Sequence, residues 1–173
     1  MDTLSNNPKP CGTVTVRAYA PSDLPEMTAI WNEVVQAGRA FPQDEPLNPQ
    51  EAAAFFGSQS FTGIAELDGR VAGLYILHPN DIGRKAHIAN ASYAVAGNAR
   101  GLGAGQALVR HSLQTAARLD FRVMQFNAVV AENLRARRLY ERLGFRQLGV
   151  SPGGFLTKDG RYVDICPYYK ELL

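Results

Sequence analysis

Two periods of apolar residues alternate along the chain, and they predict its elements before any other property is needed. Thr13 to Ala18 alternates, with Val14 and Val16 on one face, as a half-buried strand does. Ser22 or Asp23 then caps a helix with Pro25 in its first turn. Its apolar positions Met27, Ile30, Trp31, Val34 and Val35 recur at helical spacing, and Gly38 stops it. Phe41 to Pro49 is a proline-rich loop of the kind that shapes substrate pockets, and Asn48 caps a short helix through Phe56. Phe61 to Leu67 and Val71 to Leu77 are strands joined by Asp68-Gly69, the strongest short hairpin signal in the chain. A loop from His78 to Lys85 leads to a β-prone run, Ile88 to Val95. Gly103 to Leu119 is helical, with Leu108, Val109, Ser112, Leu113, Ala116 and Leu119 on the inward stripe. Arg122 to Val130 is a continuous β-branched and aromatic run, the mark of a central strand. Asn133 caps a last helix, with Ala136, Leu139, Tyr140 and Leu143 inward and Gly144 at its end. Phe145 to Val150 and Arg161 to Tyr169 close the sheet as an antiparallel pair.

This order, βααβββαβαββ, has a helix crossing between the strands near 92 and 126, and it predicts an α/β (α+β) chain with a mixed sheet. Met1 to Gly12 is polar, with Pro8 and Pro10, and reads as a loose tail before one domain at residues 13–173. A chain of 173 residues is long enough to bury a core of its own. The net charge of +2 is too mild to argue for nucleic acid or an anionic membrane surface. Cys11 and Cys166 lie far apart and match no metal spacing; they read as free thiols of a reducing cytosol, with a single disulfide left open. His78, His87 and His111 have no ligand spacing either, so no metal is assigned. No apolar run reaches the roughly 18 residues that span a bilayer, and there is no signal-peptide core. The expectation is a soluble, cytoplasmic protein.

Candidate chemistry concentrates where the Ile88–Val95 strand meets the next helix. Gly97-Asn98-Ala99-Arg100 turns the chain, and glycines follow at Gly101, Gly103 and Gly105. Such a turn bares several backbone N–H groups at the positive end of a helix, a cradle for phosphate or pyrophosphate. A tight turn whose glycines serve backbone geometry alone is the plain alternative. No Lys follows, as a P-loop would need, and Gln106 stands where the dinucleotide fingerprint has its third glycine. What is present, Arg100-Gly101-Leu102-Gly103-Ala104-Gly105 after a strand ending at Val95, resembles the acetyl-CoA pyrophosphate loop of the GNAT acetyltransferase superfamily.

That resemblance covers nearly the whole chain after the tail. It implies a mixed, mostly antiparallel sheet of about seven strands with about four helices, and acetyl-CoA as co-substrate without a metal. It places the phosphates on the backbone of Gly101, Leu102, Gly103, Ala104, Gly105 and Gln106, with Arg100 nearby, and the pantetheine arm on Tyr93, Ala94 and Val95. Asn133-Leu-Arg-Ala136-Arg-Arg-Leu-Tyr140-Glu-Arg-Leu-Gly144-Phe145 is a close match to a superfamily motif. There the Asn contacts pantetheine and the Tyr protonates the leaving thiolate, although an N-cap and a core position account for the same residues. Asn90 beside Ser92 and Asn127 beside Gln125 are carboxamides in strand interiors, where amides are depleted. The runs Leu77-His-Pro-Asn80, His87-Ile-Ala-Asn90 and Met124-Gln-Phe-Asn127 resemble the branch that acetylates proline analogues such as azetidine-2-carboxylate. In that branch asparagines matching Asn90, Asn127 and Asn133 handle substrate and acetyl-CoA. Carboxamides suit an amino-acid ligand, offering an acceptor for N–H and donors for carboxylate.

The usual base is missing: Ala128 stands where many members have Glu, leaving Glu66 and Asp68 as candidates by proximity alone. The run Arg135, Arg137, Arg138, Arg142 and Arg146 reads as a mostly solvated face, with one or two for the 3′-phosphate of CoA. The reading is an N-acetyltransferase acting directly on a small-molecule amine, with a homodimer allowed by the resemblance. A peptide N-terminal acetyltransferase, a CoA-binding module without turnover, and a nucleotide-dependent oxidoreductase are the alternatives.

Overall fold

The structure, a computed structural model, describes residues 12–173. The tail and Cys11 lie outside the described residues. Eight strands form one sheet: β1 (Thr15–Ala18), β2 (Phe61–Leu67), β3 (Arg70–Pro79), β4 (Ile88–Val95), β5 (Val123–Val130), β6 (Arg146–Gln147), β7 (Ser151–Leu156) and β8 (Tyr162–Glu171). Their order is β1-β2-β3-β4-β5-β8-β6, with β7 also on β8, and every pair is antiparallel except β4 with β5. The helices are α1 (Leu24–Ala37), α2 (Pro49–Gly57), α3 (Ala104–Arg118) and α4 (Leu134–Arg142).

Strand alternation divides the core into two layers. On β3, Leu74 and Ile76 face Met27, Ile30, Trp31 and Val35 of α1. The intervening Tyr75 and Leu77 face Leu108, Val109 and Ala116 of α3. Both faces are thus covered, which is why β3 reads as a nearly continuous apolar run. Asp68 (φ 52°) and Gly69 (φ 75°) both take positive φ, the turn that an Asp-Gly hairpin predicts. Gly38 ends α1 in the left-handed region (φ 60°), and Asn48 with Glu51 forms the capping box of α2.

Four expectations fail. Asp23 does not cap α1 with its side chain; its carboxylate instead takes the Ala20 N–H (2.7 Å) and the Arg17 guanidinium (2.8 and 3.1 Å), ahead of a 3₁₀ turn at Pro21–Asp23. Leu119 is exposed, because the chain turns at Asp120 (φ 62°) and Phe121 fills the core in its place. The strand expected at Phe145–Val150 shrinks to Arg146–Gln147. Pro167 of β8 accepts the Leu148 N–H (2.9 Å) and, as a proline, returns no donor, so that ladder stops. The unforeseen strand is β7, concealed by Ser151-Pro-Gly-Gly154; a Cβ on Gly154 would lie 2.5 Å from the Ile165 side chain, so only glycine crosses there.

Candidate active site

The site begins as a fault in the sheet. Parallel β4 and β5 pair only at Ile88↔Val123 and Ala89↔Met124, then part. From Asn90 to Val95, β4 keeps β3 on one side and has no strand on the other. On β5 the ladder to β8 jumps from Phe126↔Tyr168 to Val129↔Cys166, leaving Asn127 and Ala128 on a bulge opposite Pro167. Between the parted strands lies a cleft of about 870 Å³, walled also by the glycine turn, α4 and the loop after α1.

The glycine turn fits an anion. Gly101 (φ 89°) and Gly103 (φ 90°) hold backbone that side chains strain to adopt. A Cβ on Gly103 would meet no protein atom within 4 Å, so this surface is bare. Gly103 is the N-cap of α3 and has no side chain to satisfy the first N–H groups, which leaves them and the helix dipole for a ligand. Arg100 lies 3.6 Å from Glu33 of α1, and the Arg135 guanidinium reaches within 3.7 Å of where a Gly101 Cβ would stand. Gly101, Gly103, Gly105, Gln106 and Arg100 all border the cleft; Leu102 points to solvent and Ala104 is buried beneath the turn. Likewise Tyr93 and Val95 border it, whereas the Ala94 side chain packs in the α1 layer.

Two tyrosines flank the cleft and differ in their commitments. The Tyr93 hydroxyl lies 2.7 Å from Ser112 Oγ, which itself donates to the Val109 carbonyl, so Tyr93 is the donor of that pair. Tyr140 has no hydrogen-bond partner among the described residues, and its ring packs against Phe126 and Phe145. Burial pushes both phenols well above their ordinary range, so each keeps its proton at neutral pH. Of the two, only the Tyr140 hydroxyl is uncommitted among the described residues.

The asparagines separate in the same way. Asn90 borders the cleft, but its Oδ1 accepts the N–H of Ala91 (2.8 Å), a local tie. Asn127 forms a reciprocal carboxamide pair with Asn80 (3.1 and 2.5 Å), and Gln125 Nε2 donates to it at 3.1 Å. Asn133 caps α4 through the Ala136 N–H (3.2 Å) and still borders the cleft.

Glu66 and Asp68 are corrected here: Glu66 binds Arg17 on the β1–β2 edge, Asp68 sits in the hairpin turn, and neither reaches the cleft. The acid that does is Glu132, which the sequence reading passed over. Arg161 grips both its oxygens (3.0 and 3.3 Å) and draws its carboxyl below the usual range, which makes it a weak base. Arg137 is structural, holding Tyr168, Ala131 and Gln147; Arg135 and Arg142 border the cleft. Also missed were Arg39, just past the helix-stopping Gly38, and Thr157 of the turn after β7. The Lys158-Asp-Gly160 turn was the available signal for the latter.

Among the described residues no cluster of His, Cys, Asp and Glu could hold a metal ion, and no helix is long and apolar enough to cross a membrane. Cys166 is a buried free thiol.

A sheet split after a parallel pair, with a glycine turn leading into the helix beneath, defines an acyl-CoA-type transferase site. The chain belongs to the acetyltransferase (GNAT) family, whose model matches residues 24–145. It is 30% identical over 163 residues to the N-acetyltransferase aca1 of Schizosaccharomyces pombe, across 84% of this chain and 78% of that one. A GCN5-related N-acetyltransferase from Kribbella flavida superposes with a TM-score of 0.85 at 35% identity, over 91% of this chain and 97% of the other. A phosphinothricin acetyltransferase from Sinorhizobium meliloti, solved with acetyl-CoA, shares the fold (TM-score 0.86, 24% identity, 92% and 88% covered). The chain is therefore an N-acetyltransferase whose co-substrate is acetyl-CoA.

Proposed function

We propose that the acetyl group passes directly to the amine of a small amino acid or cyclic imino acid. The observation that carries this reading is the acceptor side of the cleft, where Asn90 and Asn127 bring carboxamides to the wall and Glu132, the one bordering carboxylate among the described residues, is already ion-paired with Arg161. Carboxamides bind both a neutral amine and a carboxylate without adding charge.

Acetyl-CoA brings an activated thioester. The N–H groups from Gly101 to Gln106 hold its phosphates, and the unpaired β4 edge from Tyr93 to Val95 aligns its pantetheine as an added strand would be aligned. Asn133 supplies a further amide to that arm. Asn127, with Asn90, orients the amine toward the carbonyl carbon, which converts an encounter into a positioned attack. Tyr140 keeps its proton until sulfur departs and then donates it. No cysteine among the described residues borders the cleft, and direct transfer needs no acyl-enzyme. With Glu132 paired to Arg161 and weakly basic, the amine sheds its ammonium proton to water or binds neutral. After attack the proton left on nitrogen also passes to water, and Tyr140 recovers from water the proton it gave to sulfur.

The phosphinothricin acetyltransferase among the fold neighbours is named for a small-molecule acceptor, which supports this reading. The test is CoA release from acetyl-CoA across azetidine-2-carboxylate, proline analogues, ordinary amino acids, polyamines and short peptides. Selective turnover of the imino acids is expected. Preference for peptides would transfer the enzyme to N-terminal acetylation. Acetyl-CoA binding without CoA release from any amine would make it a sensor.

A further inference from the structure

We infer that Arg39 reads a carboxylate on the acceptor, so that the substrates are amines with an acid group close to the reacting nitrogen. This rests on the reading that the acceptor lies on the Asn127 side of the cleft. Helix α1 serves as a ruler along that cleft. At Glu33 it touches Arg100 of the glycine turn; five residues on it ends at Gly38, whose carbonyl accepts the Lys158 N–H (3.3 Å), while Lys158 Nζ holds the Gln36 carbonyl (3.0 Å). At roughly 1.5 Å per residue Glu33 and Gly38 stand about 8 Å apart along the helix axis. The glycine turn meets the helix at Glu33, and Arg39 stands just past Gly38, beside the β7–β8 turn.

The charges bordering the cleft sort by partner and by wall. Arg100 has Glu33; Arg135 and Arg142 make no ion pair or hydrogen bond among the described residues, but both rise from α4, where Arg135 overhangs Gly101 of the phosphate turn. Glu132 is gripped through both oxygens by Arg161, which also holds Asp159. Arg39 feels Glu132 at a distance but makes no ion pair or hydrogen bond among the described residues. The wall after α1 thus carries an unspent guanidinium on a cleft that also holds the carboxamides of Asn90 and Asn127, while the other unpaired arginines, Arg135 and Arg142, belong to the α4 wall. A guanidinium fork matches a carboxylate through two parallel N–H···O bonds. A polyamine or a lysine side chain would meet this cation and find no unengaged carboxylate. The arrangement therefore selects acids and rejects cations.

The experiment pairs each accepted amine as its acid and its carboxamide, beginning with azetidine-2-carboxylate and azetidine-2-carboxamide. Both are run on wild type, Arg39→Gln and Arg39→Lys. Wild type is expected to favour the acid by roughly 10- to 100-fold in kcat/KM, the range of a hydrogen-bonded charge. Arg39→Gln should erase that preference through the acid's KM, with the KM for acetyl-CoA and turnover of the carboxamide unmoved, and Arg39→Lys should restore part of it. An indifferent wild type, or a preference that survives Arg39→Gln, overturns the inference. Turnover of some other carboxylate-bearing amine with the same Arg39 dependence would sustain Arg39 while removing the imino acid. If no acid is turned over, calorimetric titration of the same acids into the CoA-bound enzyme decides. Binding that Arg39→Gln abolishes supports the role, and no binding overturns it.

Discussion

In the function proposed above, the two ends of the cleft recognise their ligands by different means. At the glycine turn the recognising atoms would be backbone N–H groups, exposed because Gly101 and Gly103 lack side chains and adopt positive φ. At the proposed acceptor end they would be side chains gathered from far apart in sequence: Asn127 on the β5 bulge, held by Asn80 after β3, with Arg39 after α1 and Thr157 after β7. The first arrangement needs a local conformation. The second needs the whole fold. A co-substrate site can therefore stay constant while the acceptor site is rebuilt by single substitutions.

Breaking the reaction between the two ends has the largest expected effect. Tyr140→Phe should lower kcat by about 100-fold, the low end for a general acid, with acetyl-CoA affinity by calorimetry nearly unchanged; an unchanged rate would remove Tyr140 from the chemistry. Breaking the backbone end comes next. Gly103→Val forces a β-branched residue into φ 90° and puts a side chain on the bare surface, so the KM for acetyl-CoA should rise by roughly 10- to 100-fold in initial-rate kinetics. Breaking the side-chain end is milder: Asn127→Ala should raise the acceptor's KM or lower kcat by about 10-fold. Loss of cooperative melting in that variant would instead make Asn127 a structural tie between β5 and Asn80.

The smallest effect sharpens the question of the base. Arg161 lowers the Glu132 carboxyl, so that group is ionised from well below neutrality upward and contributes no titration between about pH 6 and 9. The kcat/KM profile should climb with pH until the acceptor amine is neutral, and Glu132→Gln should leave its shape intact. An inflection lost in Glu132→Gln would identify a base after all.

The difference between the ends also explains what could be read in advance. The glycine turn, the Asp68-Gly69 hairpin and the Asn48 cap are local, and their residues carry the conformation themselves. The motif from Asn133 to Phe145 likewise carries its cap and its inward tyrosine in the local sequence. Glu132, Arg39 and the Asn80–Asn127 pair were not legible as a site, because each acquires meaning only when β4 and β5 part and the β7–β8 turn reaches α1. Strand β7 was hidden for a related reason: Pro152 and Gly154 signal a turn locally, and only the Ile165 side chain across the ladder explains the glycine.

The separation of the two ends is tested most directly by steady-state kinetics of Gly103→Val and Asn127→Ala side by side, varying acetyl-CoA and the acceptor in turn. A crossed pattern is expected, with Gly103→Val raising the KM for acetyl-CoA alone and Asn127→Ala disturbing the acceptor alone. If both variants weaken the same substrate to a similar degree, the cleft is one undivided site and the division proposed here fails.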